Sequence, residues 1–322
     1  MTALSLCSGV GALDLAVEQA TGIRTEVYAE PDQYAAMVMA SRFPGVPNLG
    51  DITAVDWAEF ARQHPTIDTL IAGWPCQGIS HNGHRLGLND PRSGIWRNVV
   101  QAIAAIRPHR VFLENVAALK TRGLDVVAGH MVELGYDFRW MYQTAGAVGA
   151  AHTRPRWFGY ATPGTGSAAE VPAPAALYPP LRLLPTPKAS DGPNGGPNQR
   201  DGAGNYYLPG VAVRLDEEWR SEELGVDYGP AVRRWAHIIG RPAPGPTAPD
   251  ARGNQRLNPA AVEWLMGYPE GWVMDVPDIP RSQQIKLGGN GVVILQGASA
   301  YQHLAVHQPL TLDPGEGWRA AA

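Results

Sequence analysis

The strongest constraint on the fold is an alternation of short apolar runs with helix-period segments that fills residues 3–160. Leu4-Ser5-Leu6-Cys7 precedes a helical pattern from about Gly11 to Ala20, and Thr25 to Ala29 precedes another from about Gln33 to Arg42. Thr69 to Ala72 is closed by Gly73-Trp74-Pro75 and followed by a helix from about Gly94 to Ile106. Arg110 to Leu113, a helix from about Leu124 to Leu134, Asp137 to Tyr142 and Trp157 to Ala161 complete the series. Short apolar runs bounded by turn residues read as buried strands, and the segments between them repeat at the helical period. Such alternation predicts an α/β fold built on a doubly wound parallel sheet with right-handed crossovers. Sheets of this kind carry their chemistry at the carboxyl ends of the strands.

From about Pro163 to Asn254 the texture changes. Prolines crowd in at 172, 174, 179, 180, 185, 187, 193 and 197, and helical periodicity fades except near Pro230 to Ile239. The stretch is too long for a plain loop, and Tyr206, Tyr207, Trp219 and Trp235 make it too aromatic for simple disorder. The reading is a smaller irregular domain over residues 163–255, inserted between 1–162 and a return to the first domain over 256–322. Helical patterns over Pro259 to Met266 and Asn290 to Leu304 mark that return.

Composition narrows the class. An apolar share of 44% with 17% charged residues is ordinary for a globular protein, and no apolar run reaches the length of a membrane span. Met1 to Ser8 lacks the basic start of a signal peptide, so a cytoplasmic location is expected. Cys7 and Cys76 are the two cysteines, too few for a disulfide framework or a zinc site, and no metal is expected. A net charge of −4 argues against broad nucleic-acid affinity, yet residues 151–260 hold twelve lysines and arginines against ten acids. That middle stretch alone is positive.

Several strand ends carry reactive or ligand-binding residues. Ser8-Gly9-Val10-Gly11-Ala12 is a glycine turn opening a helix, where free N–H groups and close backbone approach suit a nucleotide-like ligand. Glu30 follows the second strand, where an acid grips a ribose; a helix-capping acid is the alternative. Gly50-Asp51-Ile52 follows a third presumptive strand and offers an acid to an adenine amino group. Glu114-Asn115-Val116 ends the strand begun at Arg110, where burial would favour the neutral carboxyl, able to bond a ring nitrogen. His152-Thr153-Arg154-Pro155-Arg156 sets two arginines two apart, which on an extended segment puts both on one face. Cys76, at a strand end ahead of the polar segment Gln77 to Ser93, has the setting of a nucleophile under a covering loop. Alone, a cysteine beside proline is more often an inert thiol.

In this order these residues resemble the DNA (cytosine-5) methyltransferases: the glycine turn, Glu30, Asp51, Pro75-Cys76-Gln77, Glu114-Asn115-Val116 and Arg154-x-Arg156. The resemblance continues through Arg256-Leu257-Asn258-Pro259, Glu263 to Pro269 and Gly289-Asn290-Gly291-Val292, and the segment from Gln77 through Ser80, Gly83, Gly87, Asp90 and Arg92 resembles the family's mobile catalytic loop. It implies a Rossmann-like methyltransferase sheet with an inserted target-recognition domain. It also implies methyl transfer from S-adenosylmethionine to carbon 5 of cytosine in a specific duplex DNA sequence, through base flipping and a covalent cysteine adduct. By that resemblance Cys76 is the nucleophile, Glu114 binds nitrogen 3 and the exocyclic amine, Arg156 holds the carbonyl, and Arg154 lies near the cysteine and the target phosphate. Cys7, Ser8, Gly9, Val10, Gly11, Ala12, Glu30, Pro31, Asp51, Ile52, Pro75, Ile95, Asn290 and Val292 would line the cofactor pocket. Gln77, Ser80 and Arg92 would contact DNA. A monomer is expected, and a cognate restriction endonuclease is a partner consistent with the family.

The sequence also departs from the family pattern. Cys7 stands for an aromatic, Ala12 for a glycine, Trp74 for proline or glycine, Ile79 for phenylalanine, His152 for glutamine, and Gly291 for serine or alanine. How the loop at His152 is hydrogen-bonded stays open at this level. So does the choice of base-reading residues among Lys188, Asn194, Asn198, Gln199, Arg200, Asn205, Arg233 and Arg234. An enzyme of the same chemistry acting on RNA, and a silent DNA-binding relative, are the competing readings.

Overall fold

The computed structural model describes residues 1–75 and 94–306. Cys76, Gln77, Ser80 and Arg92 lie outside the described residues. A seven-stranded sheet runs in the order β2-β1-β3-β4-β6-β5-β7, from β1 (Thr2–Leu6), β2 (Arg24–Ala29), β3 (Ile67–Gly73), β4 (Arg110–Val116), β5 (Tyr136–Thr144), β6 (Pro155–Pro163) and β7 (Ala168–Glu170). β1 pairs in parallel with both β2 and β3, and β3 pairs in parallel with β4. The chain thus winds outward from β1 in both directions, which leaves a crevice at the carboxyl ends of β1 and β3.

The sequence pattern predicts a parallel sheet throughout, and the structure departs from it. β6 lies antiparallel to both β4 and β5. The cause is the connection: only residues 145–154 separate β5 from β6, too few for a crossover, and a short link joins antiparallel neighbours. Asp51 also departs from expectation. It follows no strand, only an isolated bridge between Tyr28 and Asn48, and it caps the single 3-10 turn Ile52–Ala54.

Strand alternation splits the core into two layers. Ala3, Ile71 and Phe112 face a cluster holding Leu13, Ala16 and Val17 of α1 (Ala12–Thr21) and Tyr301 and Leu304 of α11 (Ile294–Val306). Leu4, Leu6, Leu70, Ala72 and Val111 face a second cluster. Trp57 and Phe60 of α3 (Trp57–Gln63), Trp96, Val99 and Ile103 of α4 (Ile95–Ile106) and Val127 and Met131 of α6 (Leu124–Glu133) fill it. α2 (Gln33–Arg42) starts cleanly because the Asp32 carboxylate accepts from the N–H groups of Tyr34 and Ala35. A four-residue helix, α5 (Leu119–Arg122), precedes α6.

The middle of the chain is irregular, with α7 (Leu208–Ala212), the two-residue strands β8 (Arg220–Ser221) and β9 (Val226–Asp227), and α8 (Gly229–Ile239). β10 (Thr247–Pro249) and β11 (Gln255–Leu257) form a small ribbon before α9 (Pro259–Leu265). Val171, Leu184, Leu208, Val211, Trp219 and Trp235 belong to the same buried cluster as α1 and α11. The helix expected from Asn290 to Leu304 is two: α10 (Arg281–Asn290) ends there, and α11 begins only at Ile294.

Candidate active site

The crevice at the carboxyl ends of the strands holds a cavity of about 490 Å3. Its first wall is the turn after β1, which three left-handed residues make possible: Cys7 at φ 54°, Gly9 at φ 56° and Gly11 at φ 78°. Ser8 is tied back to β1, its hydroxyl bonding the Ser5 carbonyl at 3.2 Å and the Ser5 hydroxyl at 2.9 Å. A side chain at Gly9 would meet no atom within 4 Å, so this backbone faces open space at the mouth of α1. Gly11 is different: a Cβ there would run into Phe43 and Met39, and it does not line the cavity. Its glycine serves the turn and the packing beneath it.

Glu30 faces that turn. Its carboxylate accepts from the Gly9 N–H at 2.7 Å and the Asp32 N–H at 2.8 Å, while Asn48 brackets its backbone with two bonds of 3.0 Å. Burial pushes the Glu30 carboxyl above the usual range, against the pull of those amides. Asp51 is the opposite case. It is solvent-exposed, and the N–H and hydroxyl of Thr53 hold its carboxylate below the usual range. The Cys7 thiol between them is pushed up to about 12 by burial first and then by Glu30 and Asp51, so it stays a neutral wall. The third wall comes from the end of α10, where Leu287, Gly289, Asn290, Gly291 and Val292 line the cavity. The ion pair of Lys286 with Asp32 at 2.9 Å holds α10 against α2, a clamp that sequence spacing did not reveal.

All the expected cofactor residues except Gly11 therefore come together: Cys7, Ser8, Gly9, Val10, Ala12, Glu30, Pro31, Asp51, Ile52, Pro75, Ile95, Asn290 and Val292. The cavity lies within the range of about 300–1,000 Å3 usual for small-molecule sites. Backbone amides, carboxylates and the apolar Ile52, Ile95, Leu287 and Val292 suit a ligand with a sugar, a flat base and a cationic end. These groups fit S-adenosylmethionine.

The inner end of the cavity carries the acid and its cation. Glu114 in β4 and Arg156 in β6 project from the same sheet face, and Arg156 Nε lies 3.0 Å from Glu114 Oε1. Both are largely buried. Burial raises the Glu114 carboxyl above its ordinary range, outweighing the opposing pull of Arg156 and then Arg154. The next residue fixes the neighbouring strand: Asn115 Nδ2 donates to the Trp74 carbonyl at 2.9 Å, just ahead of Pro75. Trp74 itself is buried against Trp96, with ring centroids 4.6 Å apart. The sequence singled out Asn115 only as a neighbour of Glu114; nothing in its spacing announced this bond.

Arg154 corrects the sequence reading. It is not on an extended segment sharing a face with Arg156, because its φ is 35° and it is fully buried ahead of β6. Its Nη1 donates to the Pro187 carbonyl at 2.8 Å, and its Nη2 donates to the carbonyls of Gly289, at 3.0 Å, and Gly291. Burial and then the adjacent Arg156 lower its guanidinium to about 9, still a cation at neutral pH. Arg154 thus ties the start of the middle segment to the cavity wall instead of facing outward. His152 is also resolved: its buried Nε2 bonds the Leu265 carbonyl at 3.0 Å, and burial lowers its imidazole to about 3, leaving it neutral. Gln296 completes the loop, donating to the carbonyls of Gln143 at 2.8 Å and Arg154 at 2.9 Å.

An open α/β sheet with a nucleotide-sized cavity at its switch point and a buried acid–arginine pair at the inner end defines the class: a doubly wound α/β protein with a ligand site at the carboxyl ends of its strands. Within it, the chain belongs to the C-5 cytosine-specific DNA methylase family, which it matches over residues 1–182. It is similar to the type II methyltransferase M.CviJI of Paramecium bursaria Chlorella virus IL3A, at 36% identity over 42% of this chain and 37% of that protein. M2.BsuMI of Bacillus subtilis (strain 168) is 32% identical over 46% of this chain and 38% of its own length. The matched stretches thus span under half the length of these relatives. Among solved structures, an S. pombe Dnmt2 methyltransferase superposes with a TM-score of 0.60 at 15% identity, covering 95% of this chain and 98% of its own. A DNA modification methyltransferase encoded within an E. coli prophage gives 0.58 at 16% identity, covering 95% and 99%. At such identities these two show a shared fold.

Proposed function

We propose that this protein transfers a methyl group from S-adenosylmethionine to carbon 5 of cytosine in a specific duplex DNA sequence. The observation that carries the reading is the Glu114–Arg156 pair, 3.0 Å apart, on the inner wall of the cavity that the glycine turn and Glu30 enclose. Glu30, the amides of the turn, Asn290 and Val292 would hold S-adenosylmethionine, which supplies an electrophilic methyl when bound. Cys76, one residue beyond the cavity-lining Pro75, would attack carbon 6 of a flipped-out cytosine as its thiolate. The new sulfur–carbon bond sends electrons to carbon 5. Glu114, its carboxyl raised by burial, would hydrogen-bond nitrogen 3 and bind the exocyclic amine, and Arg156 would hold the carbonyl oxygen while orienting Glu114. Once carbon 5 has been methylated, loss of its proton expels Cys76 and restores the ring. Arg154 supports these groups from behind.

Residues 163–255 would serve as the target-recognition part, with 256–322 returning to the catalytic part, and the protein would act as a cytoplasmic monomer beside a cognate restriction endonuclease. Among the described residues no helix is long and apolar enough to cross a membrane. The test is transfer of labelled methyl from S-adenosylmethionine to unmethylated duplex DNA and to tRNA, by the wild type and by Cys76→Ala. Label in DNA cytosine with the wild type alone supports the proposal. Label confined to tRNA, or surviving in Cys76→Ala, overturns it.

A further inference from the structure

Between Gln199 and Tyr207 the chain doubles back as a tight hairpin. The Tyr207 N–H donates to the Gln199 carbonyl at 3.2 Å, Arg200 and Tyr206 form an antiparallel bridge, and the Asp201 N–H donates to the Asn205 carbonyl at 2.9 Å. The tip has no core of its own. It is locked by the Asp201 carboxylate, which accepts from the N–H groups of Ala203 and Asn205, both at 2.9 Å, and by Gly204 in the left-handed region. The Tyr206 ring carries two guanidiniums: Arg200 Cζ lies 3.5 Å from its centroid and Arg214 Cζ 4.1 Å.

Those two cations are used differently. Arg214 is spent on the structure, bonding the carbonyls of Pro197 and Gly210, both at 2.8 Å, and pairing with Glu223 at 2.8 Å. Exposed Arg200 bonds only the Gly204 carbonyl through Nη1, at 2.7 Å, and has no ion pair among the described residues. Nε and Nη2 remain along its free edge. Of the other cations read as candidate base readers, Arg234 is committed to the carbonyls of Gly149 and Pro179. The hairpin is rooted beside the cavity. Lys188 Nζ sits 4.1 Å over the Tyr207 ring, and the Lys188 carbonyl presses on Gly289, a wall residue where any side chain would collide with it.

We propose that the hairpin 199–207 is the base-reading element and that Arg200 recognises a guanine in the target sequence. This rests on the methyltransferase reading above. A two-stranded ribbon fits the major groove, and a guanidinium offering two donors along one edge matches the O6 and N7 acceptors of guanine. Stacking on Tyr206 holds that edge in one orientation, so little rotamer freedom is lost on contact.

The test is the pattern of labelled methyl incorporation across a pool of duplexes randomised around cytosine, for the wild type, Arg200→Ala, Arg200→Lys and Tyr206→Leu. Thermal unfolding and S-adenosylmethionine binding check that each variant is folded. In the Arg200→Ala pool, preference for guanine at one position falls roughly 5- to 150-fold, equivalent to about 1–3 kcal/mol. Lysine does not restore it, and Tyr206→Leu loses part of it. A loss uniform over all sequences with a shallower salt dependence overturns the inference in favour of a phosphate contact, and an unchanged pattern overturns it outright. Wild type that methylates no DNA defeats the functional reading itself, and this inference with it.

Discussion

Gly291 shows how one residue choice depends on another. A Cβ at this position would fall on the Tyr268 hydroxyl, which is buried and has no hydrogen-bond partner among the described residues. Gly291 and Tyr268 therefore belong together, and the glycine that departs from the family pattern is explained by the ring beside it. Gly291→Ala is expected to lower stability by about 1–3 kcal/mol. Tyr268→Phe, which removes an unpaired buried hydroxyl, should be neutral or stabilising, and the double variant should recover most of the loss. Denaturant titration of the four proteins measures this; strict additivity would contradict it. Arg154 is the second residue-scale case. Arg154→Met leaves three carbonyls unpaired and should cost about 3 kcal/mol or more. Lysine should fail to rescue it, because one ammonium cannot span carbonyls on two separate segments.

At the scale of elements, α1 and β2 are joined by a buried acid. Thr25 donates to Asp14 at 2.6 Å, yet burial raises the Asp14 carboxyl above its usual range. A raised carboxyl favours the folded state while it is protonated. That contribution is complete below the unfolded value of about 3.9 and is lost as pH rises through the folded one. Asp14→Asn keeps the acceptor and removes the titration, so its melting temperature should fall less between pH 4 and pH 8 than the wild type's. Equal slopes would contradict this. Strands β1 to β5 were legible as apolar runs bounded by turn residues, the central ones being buried on both faces. Helices α1, α2, α4 and α6 were legible by their helical period, and the short α3 and α5 were not. β7 was not, since all three of its residues are exposed. Nor was the direction of β6, which connection length decides, or α10, whose Gly288-Gly289 interior mutes the helical signal. Ser8 to Ala12 and Glu30 were legible as strand-end residues, whereas Ile95, Asn290 and Val292, at or beside helix ends, were reached only through the family resemblance. Arg154 was misread because spacing gives no hint of a positive φ, and the Lys286–Asp32 and Asn115–Trp74 ties join segments far apart in the chain.

Across the whole molecule, the middle segment shares a core with the sheet. Trp219 and Trp235 lie in one buried cluster with Ala3, Val17 and Tyr301, and Trp235 donates to the Trp264 carbonyl at 2.9 Å. Calorimetry should therefore record one cooperative unfolding transition. Two resolved transitions would mean that residues 163–255 unfold independently. The positive charge of the middle and the negative charge of the flanking parts then act within one body. The central claim concerns Cys76, and it is tested most directly by trapping. Duplex DNA with 5-fluorocytosine at the target accepts the methyl but cannot lose fluorine as a proton is lost, so the sulfur–carbon bond should persist. The account predicts a denaturation-resistant protein–DNA adduct that depends on S-adenosylmethionine and maps to the peptide holding Cys76. Methylation of normal DNA with no such adduct, or an adduct on Cys7, would contradict it.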